Sequence, residues 1–261
     1  MQAIAFLVFI SLPLAVLLTA SVLGLVCLQE AFAPSAGAAS ARMPGLRLPL
    51  LSGEALRSWA TGWARQIAGD FVARPRGPST AVALARELES ETSRLIERSL
   101  PEAAADRDSH CRECSKQPIR VTAPEALAMV DELQRHASSS DLRRVYARAQ
   151  NNLRQQSFAS PAICPLLADD ERCSVFAARP LYCRSHCGAD CVMAPDSHSE
   201  QPSASQVVMT LGEGVSDGLT RALEAAHLDG RPYELNHAVV QAVDVANVAA
   251  RWARGEQAFE A

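Results

Sequence analysis

The sequence predicts a mainly α protein: an N-terminal apolar span, a linker, and a helical domain organised around an irregular cysteine-rich loop. Three observations predict it. The 261-residue chain opens on an apolar run, with no charged side chain before Glu30. Apolar residues then recur at spacings of three and four through most of the remainder, the mark of helices with one buried face. Seven of the eight cysteines fall between positions 111 and 191, five of them within the 28 residues from Cys164 to Cys191.

Residues 1–29 are expected to form a single-pass transmembrane anchor. The run Ala3 to Leu28 exceeds the roughly 20 apolar residues that cross a bilayer, and Pro13 is tolerated within a membrane helix. An uncleaved or cleaved signal is the alternative. No Lys or Arg precedes the run, unlike a signal peptide, but small residues at 35–39 would accept cleavage. Cys27 reads as an apolar-side residue of that helix. Arg42 and Arg47 follow the run, so the positive-inside rule leans the C-terminal portion towards the cytoplasm. Residues 30–53, rich in Ala, Pro, Gly and Ser, read as a linker.

Residues 54–109 read as a helical segment. Leu56, Trp59, Trp63, Ile67 and Phe71 form one stripe, expected in the core; its alternative is a membrane-surface helix flanked by Arg57 and Arg65. The break Arg-Pro-Arg-Gly-Pro at 74–78 precedes a second helix, capped by Ser79 or Thr80 and running to about Leu100. Val82, Leu84, Leu88, Leu95 and Ile96 would face inward. Arg86, Glu87, Glu89, Glu91, Arg94, Glu97 and Arg98 would form the solvated face. Pro101 ends this helix, and an acidic loop follows.

In 110–191, Ile119-Arg120-Val121 is a short extended piece. Thr122 and Glu125 have the spacing of a capping box, with Pro124 in the first turn of a helix carrying Leu127, Val130 and Leu133. Asp141 caps the next helix, through Leu142, Val145, Ala149 and Leu153. In the C-terminal helical extension, 192–261, the stretch QVVMTL at 206–211 reads as a short strand. Ser216 then caps a helix stopping near Gly230, and Pro232 starts a last helix reaching Trp252. His237 stands alone and reads as a packing or surface residue. Gly212-Glu213-Gly214 lacks the third glycine and the strand–helix setting of a dinucleotide site.

The function classes narrow quickly. The net charge is −4 and no basic stripe occurs, so no nucleic-acid partner is expected. No carboxylate pair, nucleophile–base set or phosphate loop is found. The cysteines remain, spaced C-x2-C at 111–114, then 49 residues, then C-x8-C-x9-C-x3-C-x3-C. Two thiolates two residues apart chelate one ion with little strain, and a second group arriving from elsewhere completes a tetrahedral site. Cys111, Cys114, Cys164, Cys173, Cys183, Cys187 and Cys191 are therefore the candidate metal ligands. Disulfides are the second reading, although seven is an odd number and C-x2-C closes almost no loop. Thiol chemistry is the third.

The stretch CPLLADDERCSVFAARPLYCR resembles the second half of the YkgJ family of cysteine-cluster proteins, described as zinc- or iron-chelating domains. The resembling residues are Cys164-Pro165-Leu166-Leu167, Cys173-Ser174-Val175-Phe176 and Arg179-Pro180-Leu181-Tyr182-Cys183-Arg184. The first half is similar too: Cys111 and Cys114, Ile119-Arg120-Val121-Thr122, then Glu125-Ala126. The resemblance covers roughly 110–191 and implies a metal-binding domain holding zinc or iron, including an iron–sulfur cluster, in a structural or redox role. Two departures qualify it. Ser115 stands where the family's opening knot has an adjacent cysteine, and Cys187 and Cys191 extend the second half beyond the pattern. Arg179 or Arg184 would offset thiolate charge, or else lie on the surface. A similar cluster occurs in flagellin lysine methylases, which keeps a cluster-dependent modifying enzyme as an alternative. An exported, disulfide-stapled structural or binding domain is the other.

Overall fold

A computed structural model describes residues 53–100, 118–155, 163–185 and 203–260. Every described residue belongs to one compact unit within Pro44–Ala261. Among the described residues no helix is long and apolar enough to cross a membrane; the apolar run Ala3 to Leu28 lies outside them.

The expectation of a mainly helical domain holds. Eight α-helices are described: α1 (Gly53–Val72), α2 (Thr80–Ser99), α3 (Ala123–His136), α4 (Ser139–Arg154), α5 (Leu181–Ser185), α6 (Ala204–Ala225), α7 (Leu235–Gln241) and α8 (Val245–Ala253). Two short strands, β1 (Arg120–Val121) and β2 (Tyr233–Glu234), pair antiparallel with Arg120 opposite Glu234.

Helix α3 is the centre. Its residues from Ala123 to Val130 are all buried, and α2, α4, α7 and α8 pack around it. A helix apolar on all sides is stable only where neighbours cover every face. Its start is the predicted capping box: the Thr122 N–H and hydroxyl both donate to Glu125, at 2.8 and 2.7 Å.

The α1–α6 contact turns on small residues. Helix α1 buries Leu56, Ala60, Ala64, Ala68 and Val72. Opposite them, a Cβ on Gly214 would lie 2.6 Å from the Arg57 carbonyl oxygen, and one on Gly218 would lie 2.4 Å from that of Thr61. The backbones are too close for any side chain there. The expected core stripe is thereby corrected. Trp59, Trp63, Ile67 and Phe71 are only half-buried at its flank, with the two indoles stacked 6.0 Å apart. The alanine face permits the closer approach, so it, and not the aromatic one, meets α6.

Other expectations change for identifiable reasons. The stretch 206–211 is helix, not strand, because Val207, Val208, Leu211, Val215, Leu219 and Leu223 form one continuous buried face. Its cap is Ser203, which accepts from the Gln206 N–H at 3.2 Å, and Ser216 lies inside the helix. Ser138, not Asp141, caps α4; Asp141 is the reciprocal partner in that capping box. The expected last helix from Pro232 begins only at Leu235, because Tyr233 and Glu234 are extended to pair with β1, and it is two helices, broken between Gln241 and Val245. Glu89, expected on a solvated face, is 1% exposed.

Candidate metal centre

Of the seven candidate ligands, Cys164, Cys173 and Cys183 are described. Cys111, Cys114, Cys187 and Cys191 lie outside the described residues. The three described cysteines are half-buried against the core. Among the described residues no three ligating side chains form a group arranged to hold a metal ion.

The loop carrying the first two is held by its own backbone. The Leu167 N–H donates to the Cys164 carbonyl at 3.2 Å, and the Ser174 N–H donates to Leu166 at 2.9 Å. Leu167 thereby bridges Cys173 in antiparallel fashion. The reversal between them is closed by the Ala168 N–H on Arg172, with Glu171 in the left-handed region at φ 66°. Buried Leu166 and Val175 anchor the loop below. From α4, Arg148 donates to the Leu167 carbonyl, and Asn152 donates to that of Ile163 at 2.8 Å.

A 3₁₀ turn, Phe176–Ala178, leads to Arg179-Pro180 and then to α5, the turn carrying Cys183. Neither arginine of this stretch is a surface residue. Arg179 is 2% exposed, with its guanidinium 3.9 Å above the Phe176 ring, and Arg184 is 8% exposed. Arg184 donates from Nε to the Arg179 carbonyl at 2.8 Å, from Nη1 to Ser93 Oγ at 2.8 Å, and from Nη2 to the Ala177 carbonyl at 2.6 Å. Its fourth neighbour is Glu89 Oε2, at 3.5 Å. One side chain thus fastens the turn, the start of α5 and the middle of α2.

Glu125 makes the second connection. Its Oε2 serves the capping box, and its Oε1 accepts the Leu181 N–H at 2.9 Å. Leu181 is the first residue of α5, so the helix following β1 is hydrogen-bonded to the turn bearing Cys183. A cleft of about 280 Å³ lies beside this junction, lined by Arg120, Thr122, Tyr182, Ser185 and Gly212 among others.

The electrostatics follow from burial. Desolvation pushes the Glu89 carboxyl up to about 8; the attraction of Arg184 opposes this and the nearby Glu125 adds to it. Desolvation also raises Glu125, against its hydrogen bonds from Thr122 and Leu181 and the attraction of Arg184. Arg184 is lowered by desolvation, with Glu89 and Cys183 acting to raise it and Arg179 to lower it. An arginine does not give up its proton, so the cost of burying the pair falls on Glu89, whose carboxyl is shifted towards its neutral form. Glu89 Oε1 has no hydrogen-bond partner among the described residues.

The residues missed by sequence reasoning are Glu89, Ser93 and the outward half of Glu125. A signal existed for Glu89: it lies four residues after Ala85, on the same face as Leu88 and Thr92. Compared with known proteins, the chain matches no family model, no curated protein and no solved structure.

Proposed function

We propose that this chain is a metal-binding cysteine-cluster protein, holding zinc or an iron–sulfur cluster in a structural or redox role and tethered to a membrane through residues 1–29. The observation that carries the reading is the Glu125 bridge. The two halves of the YkgJ-like pattern lie far apart in sequence, yet Glu125 of the first, which accepts the Thr122 N–H, also accepts the Leu181 N–H of the second. A site drawing ligands from both halves needs such a junction, because each group of cysteines must be delivered to one place.

The residues present fit such a group. Cys164, Cys173 and Cys183 are soft sulfur donors on a tightly hydrogen-bonded loop and turn, and two buried guanidiniums stand beside that turn. Four thiolates about a divalent ion carry net negative charge, which buried arginines offset. Cys111, Cys114, Cys187 and Cys191 would supply the remaining donors, and either of the last two would replace the ligand lost at Ser115. Bound zinc would tie the two halves together; a bound iron–sulfur cluster would add electron transfer. Four cysteine ligands would suit a structural or electron-transfer role more than hydrolysis. Arg42 and Arg47 after the apolar run favour a cytoplasmic domain.

The test is metal and thiol analysis of the full chain purified without oxygen. Zinc or iron bound in stoichiometric amount, and lost when Cys164 and Cys173 are both replaced by serine, is the expected result. Visible absorption with iron and sulfide identifies a cluster, and a colourless zinc protein identifies zinc. Denatured, unreduced protein whose cysteines are nearly all blocked, and which carries no metal, would overturn the reading in favour of a disulfide-stapled domain.

A further inference from the structure

Residues 257–260 belong to no helix or strand, yet side chains of other elements hold them closely. Helix α8 ends in a doubly bonded turn: the Gly255 N–H donates to the Trp252 carbonyl at 2.9 Å, and the Glu256 N–H to that of Arg251 at 3.1 Å. Gly255 takes φ 82°, which glycine adopts freely, and directs the chain towards Asp229. Two residues then go in while their neighbours stay out. Ala258 and Phe259 are buried, and Gln257 and Glu260 are exposed. The Phe259 ring meets Tyr233 edge-on, with 5.0 Å between centroids. The backbone on either side is paired with side chains. The Ala258 N–H donates to Asp229 Oδ2 at 2.9 Å. Gln241, the last residue of α7, accepts the Glu260 N–H at 2.8 Å and donates to the Glu260 carbonyl at 3.2 Å. Those pairing groups are also held by residues outside the segment. Asp229 accepts from Arg231 Nε at 3.2 Å and from the Tyr233 hydroxyl, and Gln241 meets the His237 ring.

An aromatic anchor in a closed pocket, with main-chain groups paired on both sides, is the way proteins take up peptides: the pocket selects a side chain and the backbone bonds supply affinity. We infer that Asp229, Tyr233 and Gln241 form a peptide-binding site, which residues 257–260 occupy in cis. Its ligand in trans is a short segment of another protein carrying a phenylalanine with a small residue before it. The small residue is needed because Ala258 is itself buried. The flanking positions are unrestricted, since Gln257 and Glu260 face solvent. The chain's own segment competes at an effective concentration of about a millimolar. It can leave without unravelling α8, whose last turn is already closed by the Gly255 and Glu256 N–H groups.

The experiment uses the full chain and the acetylated peptide Gln-Ala-Phe-Glu-Ala, the sequence of residues 257–261, with Gln-Ala-Ala-Glu-Ala as control. Phe259→Ala empties the pocket and leaves the pairing groups. Calorimetric titration is expected to show saturable, one-to-one binding of the first peptide to Phe259→Ala, about tenfold or more tighter than to the natural chain, whose own segment competes. The control should bind neither protein. Adding Gln241→Ala to Phe259→Ala should weaken binding by about tenfold, through the loss of two hydrogen bonds. At ten times its dissociation constant the peptide should raise the Tm of Phe259→Ala by about 3 °C or more. A folded Phe259→Ala chain that binds no peptide would overturn the proposal, as would equal binding of the control, because Phe259 is then an ordinary core residue. Where Phe259→Ala does not fold, hydrogen exchange in the natural chain decides. The peptide, and not the control, should speed exchange of the Ala258 and Glu260 amides several-fold by holding their segment out, and no acceleration would overturn the proposal. A natural chain that elutes as a dimer, with Phe259→Ala a monomer, would assign the site to a second copy and overturn it equally.

Discussion

Replacing Gly212 by alanine tests whether α5, the turn bearing Cys183, is seated on α6. The new methyl would lie 2.2 Å from Ser185 Cβ and 2.4 Å from Ser185 Oγ, with the Leu181 carbonyl at 3.6 Å. Carbon atoms in contact sit about 3.5–4.0 Å apart, so one helix must move by more than an ångström. Two effects compete. Alanine in a helix interior is about 1 kcal/mol better than glycine. Overpacking a tight contact costs about 1–3 kcal/mol. The clash prevails, because the obstructing atom is a Cβ that no rotamer change can withdraw. The expected net loss is up to about 2 kcal/mol, a fall in Tm of up to about 4–8 °C for a domain of this size. Circular dichroism during heating and in urea reads it, and metal content reads the accompanying shift of Cys183. Adding Ser185→Gly removes the obstruction, so the double variant should be more stable than Gly212→Ala alone. A Gly212→Ala protein more stable than the natural one, or no recovery in the double variant, would refute the seating of α5 on α6.

Three further predictions follow from buried carboxyl groups. Glu125→Ala leaves the Thr122 and Leu181 N–H donors buried without their acceptor, at about 1–3 kcal/mol each. Urea unfolding should therefore show a loss of several kcal/mol, smaller in Glu125→Gln, and a loss below 1 kcal/mol would deny the junction. Glu89 has a folded value of about 8, above its unfolded one, so its contribution to stability is full below about pH 4 and declines as pH rises through about 8. Glu89→Gln should abolish that decline in urea midpoints measured from pH 4 to 9. Asp229 goes the other way: burial acts to raise it, but hydrogen bonds from Tyr233, the Ala258 N–H and Arg231 hold it below the usual carboxylate range. Its stabilisation is present above the ordinary carboxylate value and lost as pH falls through the folded one. The natural protein should thus exceed Asp229→Asn in stability at pH 7, with the gap closing below about pH 4.

What could be read from the sequence was local. Thr122 and Glu125 are three residues apart, and a capping box needs nothing else to form. Helices α1, α2, α3 and α4 began within a few residues of the expected places, since proline breaks and caps act over a single turn. The mainly helical fold followed from apolar spacing alone. Misreadings arose where neighbours overrode a local preference. The β-branched start of α6 suggested a strand until the buried face through Leu223 made it helix, and pairing of β2 with β1 moved the start of the next helix from Pro232 to Leu235.

The sequence by itself determined most of the helices and the cap of α3, and it named the cysteines as candidate ligands from their spacing. Only the tertiary structure decided which face of α1 is inside, that Arg179 and Arg184 are interior, and that Glu89 joins them. The physical reason is desolvation. A charge enters the interior only where partners from other elements receive it, and those partners stand far off in sequence: Glu89 lies 95 residues from Arg184, and Glu125 lies 56 from Leu181. Such partnerships leave no periodic trace along the chain, and they form the frame that holds Cys183.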